Sequence, residues 1–216
     1  RNIEAVLGRL AEYGLKIKPS KCQLFQKRVT FLGHVVSAAG IETDPSKVEA
    51  VKTWRTPANL TEARSFLGLC SYYRRFVKDY AEIAAPITAL QKKGTRFKWT
   101  DECQRAFETI KTALTSAPVL AMPFVDAPKT DSDQEVRRYV LDCDASDHAI
   151  GAVLSQEQED GMNRVIAYAS RVLTPAEANY CVTRRELLAI VEFTKRFRQY
   201  LLGTKFLIRT DHDALT

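Results

Sequence analysis

The chain has 216 residues, 45% of them hydrophobic, and a net charge of +6 at neutral pH. That length supports one large or two modest domains around a sizeable core, and the apolar runs are far too short to span a membrane. The five cysteines are odd in number, scattered and never in a CxxC pair, which disfavours structural zinc and a disulfide framework and points to reduced intracellular thiols.

The charge is unevenly placed. Residues 1–125 hold 20 Lys and Arg against 11 Asp and Glu, whereas residues 126–216 hold 12 against 15. A basic front half suits a polyanion partner, although solvated helix faces would also account for it. An acidic rear half attached to it fits a part that grips phosphates joined to a part that holds divalent metal.

The chain starts directly in a helical pattern and stops just after a predicted strand, so neither end reads as a natural terminus and a segment of a longer protein is expected; no charged-apolar-small secretory leader is seen at the start. Asn2 to Glu12 has the pattern of a short amphipathic helix closed by Gly14. Lys16 to Cys22 is basic and contains Pro19, hence extended or turning. Val29 to Ser37 is β-rich around Gly33, which predicts a strand or hairpin with a close backbone approach at the glycine. Ala38 to Gly40 is a turn and Ile41 to Thr43 a short extension. Asp44-Pro45 supplies N-cap and N1 signals for a helix through Trp54. Thr61 is the expected cap of the next, which carries Phe66, Leu67, Tyr72, Tyr73, Phe76 and Val77. A third helical piece is predicted near Ala84 to Leu90. Lys92 to Lys98 is a basic loop, and Thr100 caps a helix through Leu114. Residues 44–115 therefore read as a compact, basic, all-helical subdomain. Ala117 to Asp133, with three prolines, is linker-like, with Val119, Leu120 and Phe124 expected to dock. A second domain is expected from about Glu135.

That domain reads as strands at 139–144, 150–156 and 164–169, a helix at about 183–201 and a strand at 205–210. Tight turns make the first three antiparallel neighbours. The helix carries the chain back over the sheet, placing strand 205–210 parallel to 139–144. Asp144 and Asp211 then lie at the carboxyl ends of adjacent parallel strands, where α/β sheets place ligands. Glu186 shares a helix face with Ile190, Phe193 and Phe197, so it faces the sheet from the first turn. Thr183-Arg-Arg-Glu186 is also a capping-box pattern, and Glu186 could simply close it. Three converging carboxylates need a cation to ionise together. Oxygen ligands alone favour Mg²⁺ or Mn²⁺, and two such ions about 3.5–4 Å apart suit in-line hydrolysis of a phosphodiester. Asp142 lies further back from the strand end and is the weaker candidate. Asp147 and Ser146 suit a turn cap. His148 and His212 read as loop histidines near the site rather than ligands, and Arg184 and Arg185 as solvated or phosphate-contacting.

The chain resembles the reverse transcriptase–ribonuclease H region of gypsy-type LTR retrotransposon polyproteins over essentially all of its length. The resemblance rests on Phe31-Leu-Gly-His-Val-Val-Ser37, Arg64-Ser-Phe-Leu-Gly-Leu69, Tyr72-Tyr-Arg-Arg-Phe76, Phe97-Lys-Trp-Thr100, Ala117-Pro-Val-Leu120, Asp144-Ala-Ser-Asp147, Ala167-Tyr-Ala-Ser-Arg171 and Arg209-Thr-Asp-His212. It implies a mixed α+β and α/β multidomain fold. Residues 1–43 match the end of the palm with a primer-grip-like hairpin at Phe31 to Ser37, 44–116 a helical thumb, 117–134 a linker, and 135–216 an RNase H-like mixed sheet with its packing helix. It also implies Asp144, Glu186 and Asp211 as catalytic and metal-binding carboxylates. By the same resemblance, a fourth carboxylate is expected downstream of Thr216 and the polymerase carboxylates upstream of Arg1. The implied activity is hydrolysis of the RNA strand of an RNA–DNA hybrid. The implied partners are that hybrid, a template–primer duplex and the rest of the Pol polyprotein, in the cytoplasm, a virus-like particle or the nucleus. The residues expected to touch nucleic acid are Phe31, Leu32, Gly33, His34, Arg74, Arg75, Lys78, Lys92, Lys93, Arg96 and Lys98. Tyr72, Tyr73, Phe97 and Trp99 lie between them; for each aromatic taken singly, a core position is favoured. A non-catalytic nucleic-acid-binding remnant or domesticated module is the alternative reading.

Overall fold

The computed structural model describes residues 2–124, 138–158 and 160–212. Helix α1 (Asn2–Glu12) is amphipathic but buries no residue. Strands β1 (Arg28–Phe31), β2 (His34–Ser37) and β3 (Gly40–Thr43) form an antiparallel meander. The turn between β1 and β2 falls on Leu32 and Gly33, both with positive φ (48° and 71°). Two successive left-handed residues give the primed turn that matches strand twist, so the hairpin expected around Gly33 is present.

Helix α2 (Pro45–Lys52) starts as its sequence dictates, with the Asp44 carboxylate accepting from the Ser46 N–H and Pro45 at N1. The next start differs from expectation. Helix α3 (Leu60–Tyr72) is capped by Asn59, whose side chain accepts from the Glu62 N–H at 2.9 Å. Glu62 returns the bond to the Ala58 N–H at 2.8 Å. Asn59-x-x-Glu62 has the reciprocal capping spacing, and it outcompetes Thr61, which falls two residues further on, inside the helix. The chain then tightens into a 3₁₀ turn at Arg74–Phe76. Helix α4 (Tyr80–Ala89) begins earlier than predicted and contains Pro86. Helix α5 (Asp101–Thr115) is capped by Thr100 as expected. Phe66, Phe76, Ile87, Phe107, Ile110 and Leu114 close the helical core.

The second core belongs to a four-stranded sheet made of β4 (Tyr139–Ala145), β5 (Ala149–Glu157), β6 (Asn163–Val172) and β7 (Phe206–Arg209), in the order β6-β5-β4-β7. Strands β4, β5 and β6 are antiparallel neighbours, and β7 is parallel to β4. Helix α6 (Val182–Arg196), followed by the single turn α7 (Arg198–Leu201), makes the crossover. The pleat divides the sheet cleanly. Leu141, Cys143, Ala152, Leu154, Ala167 and Ala169 face Ala189 and Phe193 of α6 and, beyond it, Phe197. The alternate residues, including Asp142, Asp144, Gly151 and Ser170, occupy the opposite face.

That opposite face is where the helical part docks. Val165 and Tyr168 pack on the helical core, the Ala81 N–H donates to Ser170 Oγ at 2.8 Å, and Arg75 donates to the Ile166 carbonyl at 3.3 Å. The linker-like stretch participates as well. Leu120 is buried and exchanges backbone bonds with Ile41, while the Ala121 N–H donates to the Val165 carbonyl. Val119, expected to dock, is exposed. Most of the remaining stretch to Asp133, and the start expected near Glu135, lie outside the described residues.

Candidate metal centre and nucleic-acid interface

Register brings two of the three expected carboxylates together. Parallel pairing sets Asp142 beside Arg209, so two residues further on Asp144 and Asp211 stand level at the carboxyl end of the sheet. Asp142 is taken out of the cluster by the Arg209 guanidinium, which donates to both its oxygens at 2.6 and 3.0 Å. The third carboxylate comes from the first turns of α6. Ligand oxygens of Asp144, Glu186 and Asp211 lie within 4.8 Å of one another.

Their environments differ. Asp144 and Asp211 are exposed, whereas Glu186 is only 3% exposed. Burial raises the Glu186 pKa, the charges of Asp211 and Asp144 raise it further, and the Ala145 backbone N–H and His212 oppose the rise. Its second oxygen is buried without a hydrogen-bond partner. Such a group is costly unless something cationic meets it. The capping-box alternative is not what forms: the N-cap is Cys181, with no side-chain cap bond. Thr183 Oγ1 instead meets His212 Nε2 at 2.8 Å, holding that ring beside the cluster. An all-oxygen set with one buried, unsatisfied oxygen fits a hard divalent ion.

The turn after Asp144 is fastened as its residues suggest. Ser146 Oγ accepts from the His148 and Ala149 N–H groups, and His148 is exposed. Arg185, read as solvated or phosphate-contacting, is instead mostly buried, bonding Asp147 at 2.5 Å and the Ser146 carbonyl at 3.2 Å. Arg184 lies over the Tyr180 ring.

Two features escaped the sequence reading. Asp79 of the helical part lines a cavity of about 40 Å³ together with Glu82, Asp144, Ser146, Gly151 and Ser170. Its Oδ1 sits 2.8 Å from where a Gly151 Cβ would be, and Gly151 is the cross-strand partner of Asp144. Burial raises the Asp79 pKa, Lys78 opposes this, and Asp144 adds to it. Second, burial and the nearby Arg74 cation lower the Arg196 pKa, against Glu192. Arg196 of α6 is thus partly buried and close enough to Arg74 of the helical part to feel its charge. Neither pairing has a local signal, because 65 residues separate Asp79 from Asp144 and 122 separate Arg74 from Arg196.

Of the expected nucleic-acid contacts, Arg74, Lys78, Lys92, Lys93, Arg96 and Lys98 are exposed. Arg75 is half-buried and spent on the sheet backbone. Phe31 and Leu32 are exposed at 63% and 71%. His34 turns inward, its ring 5.2, 5.5 and 5.7 Å from those of Tyr72, Tyr73 and Phe76. Tyr73 and Phe76 are core, as favoured, but Tyr72 is 50% exposed; Phe97 and Trp99 pack part-buried on the core.

A mixed sheet with its packing helix, three clustered carboxylates and a docked basic helical part define an RNase H-like arrangement. The chain belongs to the family described as the RNase H-like domain found in reverse transcriptase, whose model matches residues 99–208. Among its relatives, the retrovirus-related Pol polyprotein from transposon 412 of Drosophila melanogaster is 40% identical over 216 residues, covering 100% of this chain and 17% of that protein. The transposon Tf2-3 polyprotein of Schizosaccharomyces pombe is 36% identical over 217 residues, 100% of this chain and 16% of that protein. The chain thus spans less than a fifth of either relative. Among solved structures, the foamy viral protease-reverse transcriptase in complex with RNA/DNA hybrid matches with TM-score 0.77 and 25% identity, over 97% of this chain and 27% of that one. The same protein in complex with double-stranded DNA matches with TM-score 0.76 and 25% identity, over 98% and 42%. No described helix is long and apolar enough to cross a membrane.

Proposed function

We propose that this chain is part of a retrotransposon reverse transcriptase that hydrolyses the RNA strand of an RNA–DNA hybrid, with Asp144, Glu186 and Asp211 holding a pair of Mg²⁺ or Mn²⁺ ions. The observation that carries the reading is the buried, unpartnered oxygen of Glu186 facing two exposed carboxylates. Ions bound there would supply an activated water and stabilise the leaving 3′-oxygen. The chain's own residues do the rest. The Ala145 N–H and the surrounding core hold Glu186 in place. Arg209 keeps Asp142 from competing for the ions. Asp144 and Asp211 stay open to substrate.

The division into a palm end at 1–43, a helical thumb at 44–116, a linker at 117–134 and an RNase H-like domain from 135 is part of this proposal. So are nucleic-acid contacts by the exposed thumb cations and the Phe31–Leu32 tip, which hold a hybrid or template–primer duplex through backbone and shape rather than sequence. The remaining Pol polyprotein is the expected partner, and the cell interior, chiefly the cytoplasm, the expected compartment.

A second reading, a nucleic-acid-binding module that does not cleave, draws support from the docked Asp79 and Glu82. Together with Ser146, Gly151 and Ser170 they line the cavity of about 40 Å³ beside Asp144. Cleavage of a labelled hybrid in Mg²⁺ or Mn²⁺ by the Pol polypeptide carrying this segment separates the two. The expected result is that Asp144→Asn abolishes cleavage with little loss of hybrid binding. Equal cleavage by the Asn variant would overturn the site, and absence of cleavage in the unsubstituted protein would leave the binding module.

A further inference from the structure

The tip of the β1–β2 hairpin is held from outside. Leu32 and Gly33 both sit at positive φ, Leu32 without the freedom of a glycine. The carbonyls of both are claimed by residues 40 positions later. The Tyr72 hydroxyl donates to the Leu32 carbonyl, and the Tyr73 hydroxyl donates to the Gly33 carbonyl at 2.6 Å. His34 Nδ1 lies 3.0 Å from the Leu32 carbonyl, which it bonds in the tautomer protonated there. Adjacent tyrosines on a continuing helix would diverge by about 100°. Here α3 ends at Tyr72 and the chain tightens at once, so both rings reach the same hairpin. A Cβ at position 33 would only come into ordinary contact with each tyrosine, at 3.4 Å, so it is the φ of 71° that favours a glycine at the point of contact.

We propose that Tyr72 and Tyr73 are positioning residues: their hydroxyls latch the hairpin tip to the base of the thumb, so that Phe31 and Leu32 are presented to a nucleic-acid strand at a fixed distance from the thumb cations. This rests on the reading above, that the tip meets nucleic acid. Phe31, Leu32 and Tyr72 are all exposed around this tip, and apolar side chains of this kind are ones on which sugars and bases pack. The latch also gives the thumb a mechanical hold on that tip: a shift of α3 carries the tip with it. Tyr73 is 2% exposed, so its hydroxyl is committed to protein partners, the Gly33 carbonyl and the Asp44 backbone N–H, rather than to solvent.

The test is a double-mutant cycle on this chain with a labelled primer–template duplex. Tyr72→Phe with Tyr73→Phe keeps both rings, and the fold is checked by circular dichroism. We expect about five- to tenfold weaker binding, faster amide exchange over residues 31–34, and an unchanged salt slope, because no phosphate contact is lost. In a background of Phe31→Ala with Leu32→Ala the Phe pair should cost nothing further. Additive losses, or weaker binding without faster exchange, would overturn the latch. If Phe31→Ala with Leu32→Ala leaves binding unchanged, the tip does not touch the duplex, and the underlying reading fails instead.

Discussion

Glu186 and Glu177 lie nine residues apart and are driven in opposite directions by their surroundings. Glu186 is buried beside two like charges and is held above its ordinary pKa. That is a cost to the fold which a bound divalent ion would relieve. Glu177 accepts from both arms of Arg171, at 2.8 and 3.1 Å, and from the Thr174 N–H at 2.8 Å. These bonds, led by Arg171, lower its pKa from 4.5 to about 2. A carboxylate whose pKa falls on folding stabilises the native state above its unfolded pKa. That contribution is therefore present at neutral pH and is lost as pH falls from about 4.5 to about 2. Glu177→Gln should melt below the native protein at pH 7, and the difference should shrink across that acid window. Thermal melts at several pH values check this; a difference that persists at pH 2 would contradict it.

At the scale of elements, the tightest constraint outside the carboxylate cluster is at the start of β3. Gly40 has φ 134°, and a Cβ there would lie 2.2 Å from the Leu120 carbonyl oxygen. That carbonyl accepts from the Ile41 N–H at 2.7 Å, closing a two-bond bridge between the meander and the stretch leading to the sheet. Gly40→Ala must therefore move backbone rather than a flexible side chain. It should cost on the order of 3 kcal/mol, read as a lowered denaturant midpoint. Gly94→Ala, also at positive φ but with nothing nearby, separates conformational strain from the clash and should cost about 1 kcal/mol. Periodicity and capping rules located most of these elements, since α2, α5 and the sheet strands start from strong local signals. They missed the start of α3, where Asn59 stands two residues before Thr61 and its exchange of bonds with Glu62 decides for Asn59. They also left open whether Glu186 closes a capping box, because the pull of the Ala145 N–H is invisible along the chain.

Among the described residues, helical part and sheet form one packed unit, with α4 against β6 and Ser170 and Ile166 accepting bonds from the helical part across the seam. The helical part exposes Arg74, Lys78, Lys92, Lys93, Arg96 and Lys98, and the half-buried Arg196 of α6 feels the charge of Arg74. Binding to a hybrid should weaken as salt rises, with a slope of about −0.9 per phosphate neutralised. Replacing Lys92, Lys93 and Lys98 with Ala should lower affinity uniformly across sequences and flatten that slope by roughly one for each phosphate contact removed. Salt titrations of the native and triple-Ala chains measure both. A flat slope in the native chain would remove the basic surface from the mechanism.

The sequence alone determined the mixed helix-and-sheet class, the parallel placement of the last described strand, the convergence of Asp144, Glu186 and Asp211 at one end of the sheet and the basic character of the helical part. Each is written in local periodicity, turn chemistry or residue type. Only the tertiary structure decided that Asp142 is spent on Arg209, that Arg75 and Arg185 serve the fold, that His34 turns inward onto the tyrosines, and that Asp79 stands against Asp144. The physical reason is the same in each case. A charge or hydroxyl on a given face has several possible partners, and the choice among them is made by segments tens of residues away that burial brings into hydrogen-bonding range.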